Sequence, residues 1–229
     1  MSTRKKTEKR NEKKNLAAFM PPFLIELYLE RDQLNIKRVL MSVWDKTGLL
    51  DFARELSKRG VSILATHGTS IFLRENGISV EEIEQLTGYH ELLDGRVKTI
   101  HPKIFAAVLA KLSKKEHLQQ LYELGVQPID MVVVNLRPLV QSFDEKELLE
   151  SIDIGGVALL RAAAKNYRDV VPVCDYNDYT IVVESIDRCG DVVLQYRRKL
   201  CAKAFLLCSE YDMIVHKRIS ELFAVDPDL

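Results

Sequence analysis

Short apolar segments alternate with amphipathic helical segments along most of the chain, and this alternation restricts the fold more than any other feature. The segments RVLMSV (38–43), VSILAT (61–66) and DMVVVNL (130–136) are short, apolar and partly β-branched, which is typical of strands buried on both faces. Between the first two, TGLLDFARELSKRG predicts a helix with one apolar stripe that ends at Gly60. Strands that alternate with helices pair in parallel through right-handed crossovers, so the sequence predicts a layered α/β domain.

The same alternation continues towards the C-terminus. A helix in SIFLRENG ends at Gly77, and SVEEIEQ is a weaker strand candidate. The later segments predict two helices, a strand, a further helix and a long helical stretch: DEKELLESID, GVALLRAAAKN, VVPVC (170–174), NDYTIVVESID and 192–222.

Charge is distributed unevenly between the start of the chain and the rest. The chain of 229 residues has 33 basic and 33 acidic side chains, but residues 1–15 hold seven Lys or Arg and two Glu. We therefore expect a basic tail with a short helix (1–35) ahead of one domain (36–229). Residues 1–15 contain no aromatic side chain that could stack on bases, so nucleic acid is not an expected partner.

Several protein classes are disfavoured by the composition. No apolar run approaches the roughly 20 residues of a membrane span, and the N-terminus lacks the apolar core of a secretory signal. The four cysteines show no CxxC spacing, which disfavours a zinc site or a disulfide framework. We expect a cytoplasmic, reduced protein that binds no membrane.

Polar residues follow the predicted strands at the edge where α/β sheets bind ligands. Cations can neutralise an anion there, while hydroxyl groups and helix N-terminal N–H groups donate hydrogen bonds to it. Neither GxxxxGK[ST] nor GxGxxG is present, so the pattern is not a nucleotide loop of those types. It predicts a phosphate site, although each element taken singly also fits a helix cap or an exposed loop. The set comprises Lys46, Thr66, Gly68, Thr69, Arg96, Lys98 and Thr99.

The segment DIGGVALLRAAAKN is a second candidate for chemistry. Asp153 precedes two glycines and a helix on which Arg161 and Lys165 share a face. These cations suit a solvated helix edge near a C-terminus. A lysine held close to a carboxylate in a cleft could instead transfer protons. The sequence leaves both interpretations open.

Four stretches resemble a known family: MSVWDKTGLLDFARELSKRGVSILATHGTS, LTGYHELLDGRVKTIHPKI, VVVNLRP and SIDIGGVALLRAAAKN. They are similar to the inosine-monophosphate (IMP) cyclohydrolase domain of the bifunctional purine biosynthesis enzyme AICAR transformylase/IMP cyclohydrolase. The resemblance, which begins at about Lys37, implies a three-layer, parallel-sheet, methylglyoxal-synthase-like α/β domain with extra C-terminal helices. It implies closure of FAICAR to IMP with loss of water, without a metal or other cofactor. It further implies a homodimer, and a separate transformylase could act as a partner.

The resemblance also implies roles for single residues. Lys165 would be the general acid/base, and Lys98, Asp153, Asn135 and Arg137 would surround the reacting groups. Phosphate, ribose and base would contact Ser42, Trp44, Asp45, Lys46, Thr66, His67, Gly68, Thr69, Arg96, Val97, Thr99, Val134, Ile154 and Gly155.

At three of these positions the chain departs from the family pattern. Trp44 stands where the family pattern SVSDK has its second serine. His67 replaces the first glycine of SGGT or TGGT, and Arg137 replaces the tyrosine of NLYPF. A catalytically impaired purine-nucleotide-binding or regulatory module is therefore an alternative interpretation. A methylglyoxal-synthase-like lyase is a further one, which the DIGG and AAAKN matches disfavour.

Overall fold

Five parallel strands form the centre of the computed structural model, which describes residues 34–93 and 95–225. The strand order is β3-β2-β1-β4-β5, and every pair is parallel. The predicted basic tail and the helix before residue 34 lie outside the described residues. The strands are β1 (Arg38–Val43), β2 (Ser62–Ala65), β3 (Glu81–Glu82), β4 (Met131–Asn135) and β5 (Val171–Val173).

Helices occupy the crossovers and extend beyond the last strand. The crossover between β3 and β4 contains two helices that the sequence analysis did not predict, α3 (Ile83–Thr87) and α5 (Lys115–Glu123), and β3 is shorter than its predicted segment. None of the helices in the described part of the chain has both the length and the apolar character needed to cross a bilayer. The helices are α1 (Leu49–Lys58), α2 (His67–Glu75), α3 (Ile83–Thr87), α4 (Pro102–Leu109), α5 (Lys115–Glu123), α6 (Glu145–Ser151), α7 (Gly155–Lys165), a 3₁₀ turn (Tyr176–Asp178), α8 (Tyr179–Cys189) and α9 (Leu194–Phe223).

Side chains from alternate positions of the central strands enter two cores, because successive residues of a strand point to opposite faces of the sheet. Val39 and Met41 of β1 are fully buried on the face covered by α1, α2 and α8. Leu40 of β1 and Val132 of β4 are buried on the opposite face, against α4 and α7. Helices thus cover both faces, and the predicted three-layer α/β fold is confirmed.

A buried ion pair fixes the start of the long helix α9. Arg197 lies 3.3 Å from Asp191, and both side chains are 8% exposed. Asp191 also accepts a hydrogen bond from the Leu34 N–H at 3.1 Å, and the Arg197 guanidinium donates to the Val192 carbonyl at 2.7 Å. Buried charges are costly unless they are paired and hydrogen-bonded, and these contacts offset part of that cost, although Asp191 Oδ1 is buried without a hydrogen-bond partner. They join the first described residues to α9.

Asp130, directly before β4, connects the starting ends of three strands. Its Oδ2 accepts the N–H groups of Lys37 and Arg38, each at 2.8 Å. Its backbone N–H donates to the Arg38 carbonyl at 2.9 Å, and its carbonyl accepts the Val171 N–H at 2.8 Å. Burial raises the pKa of Asp130 to about 6, although the two N–H donors act in the opposite direction.

We predict that Asp130→Asn removes a pH dependence of stability between about pH 4 and pH 7. Because the folded pKa lies above the ordinary value of 3.8, the native state holds the proton more tightly than the unfolded chain. The contribution of Asp130 to the free energy of unfolding is therefore fully present below pH 3.8 and is lost as the pH rises through about 6, a change of up to about 3 kcal/mol. Urea unfolding at a series of pH values measures this change.

The matched control is Asp51→Asn, which alters an exposed carboxylate of α1. Its unfolding free energy should follow that of the unmodified protein at every pH. The prediction is wrong if the free energy of unfolding of Asp130→Asn depends on pH in the same way as that of the unmodified protein.

Candidate functional site

Asn135, the last residue of β4, holds the loop that follows β1. It pairs in register with Val43 of β1. Its Oδ1 accepts the N–H groups of Trp44 at 2.6 Å and Asp45 at 3.0 Å, and its Nδ2 donates to the Asp45 carbonyl at 2.8 Å. The amide oxygen is thus engaged by the backbone, so Asn135 positions this loop.

Three hydroxyl groups, one from the end of β1 and two from the start of α2, form a cluster beside the same loop. Thr66 caps α2, and its Oγ1 lies 3.5 Å from both Ser42 Oγ and Thr69 Oγ1. The buried Thr69 hydroxyl binds the N–H and the carbonyl of Val43, each at 3.2 Å. A Cβ built on Gly68 would meet nothing within 4 Å, so the space beside the first turn of α2 is open. Hydroxyls next to a helix N-terminus suit a phosphate.

Lys46 and Asp45 stabilise the turn between β1 and α1. The Lys46 ammonium donates to the carbonyl of Val43 and, at 3.2 Å, to that of Trp44. Partial burial lowers the pKa of Lys46. Asp45 accepts hydrogen bonds from the N–H and the hydroxyl of Thr47 at 2.9 and 2.7 Å. Direct contact of Lys46 or Asp45 with a phosphate or ribose stays a prediction.

Arg96 and Lys98 each form an ion pair with a glutamate of the chain. The Arg96 guanidinium donates to both carboxylate oxygens of Glu150 and lowers the pKa of that carboxyl. The Lys98 ammonium lies 3.3 Å from Glu91 Oε2. Exposed ion pairs of this kind are screened by water and salt and contribute little, so a bound phosphate could displace either glutamate.

The segment 95–99, here called the cation loop, is fixed at both ends. Val97 and Leu92 exchange backbone hydrogen bonds of 3.0 and 3.2 Å. Thr99 is buried, and a Cβ built on Gly155 would lie 2.7 Å from its hydroxyl oxygen. Such a contact is too close for any side chain, so glycine at 155 lets the cation loop meet the first turn of α7.

Asp153 joins the start of α7 to the segment after β4. Its Oδ1 accepts the Gly156 N–H at 2.7 Å, and its Oδ2 accepts the Arg137 N–H at 3.0 Å. Its own N–H donates to the Tyr211 hydroxyl of α9 at 2.7 Å. Both carboxylate oxygens accept backbone donors, which fixes Asp153 beside Arg137.

The Arg137 side chain stacks on Trp44, so the two strand ends meet through their side chains. The guanidinium carbon lies 5.1 Å from the centroid of the indole, within cation–π distance. Arg137 also donates to the Glu150 carbonyl at 3.2 Å. Trp44 is the only tryptophan of the chain and is 55% exposed. Its fluorescence can therefore report ligand binding at this edge of the sheet.

Three further predicted site residues lie on β4 and at the two ends of α7. The Val134 side chain is buried in the core, so its predicted contact with the base would be made by the backbone and stays a prediction. Ile154 is exposed beside Asp153 at the start of α7. Lys165 is exposed at the other end of α7, and the helical rise from Gly155 to Lys165 is about 15 Å. Within one chain, the structure does not bring Lys165 to Asp153.

One group of side chains in the described ranges could hold a metal ion. His67, the first residue of α2, faces Glu82 at the end of β3, with Nδ1 3.8 Å from Oε2. Ligand atoms of His67, Glu82 and Glu84 all lie within 4.8 Å of one another. No sequence spacing signalled this group, because two neighbouring strand ends supply its members.

Sequence reasoning also missed three residues that hold the site in place. Glu150 accepts hydrogen bonds from both Arg96 and Arg137, and Glu91 forms an ion pair with Lys98. Tyr211 accepts the Asp153 N–H from a helix that begins long after the motifs end. A glutamate or tyrosine on a helix gives no local signal of such a contact, because the contact depends on tertiary packing.

Two protein families have models that match the chain. Residues 48–159 match the MGS-like domain, which covers β2 to β4 and the start of α7. Residues 163–226 match the AICARFT/IMPCHase bienzyme family. Together the two matches cover the cation loop, Asp153 and all of α9.

Curated relatives and a solved structure agree with these families. The bifunctional purine biosynthesis protein PurH of Acetivibrio thermocellus is 47% identical over 196 residues, covering 83% of this chain and 38% of the relative. PurH of Clostridium acetobutylicum is 47% identical over 192 residues, covering 81% and 38%. The crystal structure of ForH is 34% identical with a TM-score of 0.72, covering 82% of this chain and 98% of that chain. The chain thus spans 38% of the length of these PurH relatives.

We predict that Glu150→Gln tightens the binding of ribose 5-phosphate by up to about fivefold, a modest gain because the exposed ion pair that it removes is weak. The substitution removes the internal carboxylate on Arg96, so a phosphate no longer competes with it. Titration followed by Trp44 fluorescence measures the affinity.

Glu116→Gln is the matched control, because Glu116 is an exposed glutamate in the first turn of α5. It should leave the affinity unchanged. Equal or weaker binding by Glu150→Gln would show that Arg96 does not receive the phosphate.

Proposed function

Because the chain belongs to the family of IMP-cyclohydrolase-type domains with the methylglyoxal-synthase-like fold, we propose that it closes the purine ring of FAICAR to IMP with loss of water. The chain is homologous to purine biosynthesis proteins, which supports a purine nucleotide as ligand. One observation carries the proposal. The Trp44–Arg137 stack joins the hydroxyl cluster to the Asp153 group at one edge of the sheet, which suits a ligand with a phosphate at one end and a polar heterocycle at the other.

The proposed reaction needs positioning more than it needs a strong base. The carboxamide nitrogen of FAICAR attacks the formyl carbon of the same molecule, and a carbon–nitrogen bond forms. The formyl oxygen leaves as water, with one proton from the carboxamide nitrogen and a second from a nitrogen bonded to the former formyl carbon. Because the attack is intramolecular, holding both groups in register removes much of the barrier.

Arg137 is the proposed donor to the oxygen that gains negative charge during the attack. Its guanidinium is held between the Trp44 ring and the Glu150 carbonyl, so it needs little reorganisation. Its backbone is fixed by Asp153 at the start of α7. At the other end of the substrate, the hydroxyls of Ser42, Thr66 and Thr69 and the first turn of α2 would bind the phosphate.

A purine-nucleotide-binding or regulatory module is the second candidate function. The observation that favours it is the distance of Lys165, the implied general acid/base, from Asp153 in one chain. Such a module would bind IMP or AICAR and quench or enhance Trp44 fluorescence, without turning over FAICAR.

We propose that the chain forms a homodimer and that Lys165 acts in the site of the second chain. Several large apolar side chains of α9 are exposed to solvent, which is unusual unless a surface is covered. These side chains are Phe205, Leu206, Met213, Ile214 and Phe223.

We predict that Arg137→Met lowers kcat for ring closure by about a hundredfold and changes KM by less than about threefold. Methionine removes the charge but keeps much of the length, so a donor used mainly in the transition state is lost. Conversion of FAICAR, followed by the absorbance of the purine, measures both constants. Arg198→Met on the exposed surface of α9 is the control and should keep the unmodified rates.

If the unmodified protein binds IMP but converts FAICAR no faster than spontaneous ring closure, the enzyme proposal is wrong and the binding-module proposal is supported. Equal rates for Arg137→Met and the unmodified enzyme would remove only the role of Arg137.

A mixing experiment tests the origin of Lys165. Lys165→Ala and Arg137→Met should each be impaired alone, while the two variants co-expressed should recover part of the activity, because half of the sites in a mixed dimer then contain both native side chains. Full activity of Lys165→Ala would exclude a catalytic role. Impairment without recovery would place Lys165 and Arg137 in the same chain's site.

A further inference from the structure

We propose that His67, Glu82 and Glu84 form a binding site for a first-row divalent cation of the Zn²⁺ type. The ligand atoms of these three residues, one imidazole nitrogen and two carboxylate oxygens, all lie within 4.8 Å of one another. They converge from the N-terminus of α2, the end of β3 and the first turn of α3. The proposal stands on these contacts alone and is independent of the ring-closure reaction.

The spacing of His67 and Glu82 suits two ligands of one ion better than a direct hydrogen bond. Nδ1 of His67 lies 3.8 Å from Oε2 of Glu82, which is longer than a hydrogen bond allows. Two ligands of a tetrahedral zinc ion, each about 2.0–2.1 Å from the metal, are about 3.3 Å apart. A small rotation of the exposed imidazole closes the difference.

Other side chains orient the two carboxylates, as outer contacts do in metal sites. Oε1 of Glu82 accepts hydrogen bonds from the Ser70 hydroxyl at 2.9 Å and from Arg74, which leaves Oε2 directed at His67. Oε2 of Glu84 lies 2.8 Å from Nδ1 of His90. One oxygen of each carboxylate therefore contacts a neighbouring side chain, and the other oxygen is available to a cation.

The charges around the group favour a cation. Glu82 and Glu84 are less exposed than His67, at 17% and 22%, so their mutual repulsion is screened less than at a fully open surface. The shallow cavity that His67 and Glu84 line also contains Glu91 and Lys98, and those two residues pair with each other. The positive charge of Arg74 neutralises the carboxylate of Glu82, and a bound divalent cation would neutralise that of Glu84.

The ligand types select the class of metal. An imidazole nitrogen with carboxylate oxygens suits Zn²⁺ and its first-row neighbours, whereas Mg²⁺ and Ca²⁺ prefer sites made of oxygen alone. Three protein ligands would leave a fourth position for water. We expect one ion per chain.

Calorimetric titration of the chelator-treated full chain with ZnCl₂ tests the proposal, in buffer without nucleotide. We expect saturable binding of one equivalent, unaffected by excess Mg²⁺. His67→Ala and Glu84→Gln should each weaken it about tenfold or more, since even outer contacts of metal ligands carry effects of that size. His216→Ala and Glu210→Gln, which alter exposed residues of α9, are the matched controls and should bind like the unmodified chain.

Co²⁺ gives a second readout that separates this site from the partly exposed thiols of Cys189 and Cys201. A visible d–d spectrum without a thiolate charge-transfer band is the expected result. His67 is exposed in the first turn of α2, so its replacement should not prevent folding, and circular dichroism checks this. Absence of saturable binding, a thiolate band, or equal binding by a folded His67→Ala variant would each overturn the proposal.

Discussion

The in-register pairing of β1 with β4 determines the geometry of the candidate site. Because Val43 pairs with Asn135, the amide of Asn135 meets the first two residues after β1 and bonds them at three points. A slip of one residue would turn that side chain to the opposite face of the sheet and release the loop that carries Trp44. Asp130 joins the other ends of the same two strands, so the register is held at both ends by a side chain. The site thus depends on the most deeply buried part of the fold.

The cations of the site are oriented by charges of the protein itself. Arg96 and Arg137 both converge on Glu150, one on its carboxylate and the other on its carbonyl. Two guanidinium groups in this proximity repel each other unless an acceptor lies between them, and Glu150 supplies it. In the proposed site, a phosphate would exchange one ion pair for another and add the N–H groups of α2, so its net gain would come mainly from the helix and the hydroxyls.

The sequence predicted the parts of the fold that rest on local pattern and missed those that rest on tertiary contact. The buried strands β1, β2 and β4 and helix α7 followed from apolar runs and periodicity, and the resemblance correctly implied the family. Strand β3 is two residues long because only Glu81 and Glu82 pair with β2, a limit that no residue pattern marks. Strand alternation turns the Val134 side chain into the core, so its predicted contact with the base would have to be made by the backbone. Position along a helix likewise separates Lys165 from Asp153, which motif matching cannot reveal.

The substitutions at Trp44 and Arg137 form one structural unit. In the family pattern that the sequence resembles, a serine and a tyrosine occupy these positions, and here their replacements stack on each other. An arginine alone at position 137 would carry a long, mobile charge, whereas an indole beneath it restricts the guanidinium and lowers its exposure to water. The guanidinium in turn covers part of the indole, which stays 55% exposed. Each replacement therefore stabilises the other. This favours a coordinated change of the two side chains at the candidate site over the independent loss of a serine and a tyrosine.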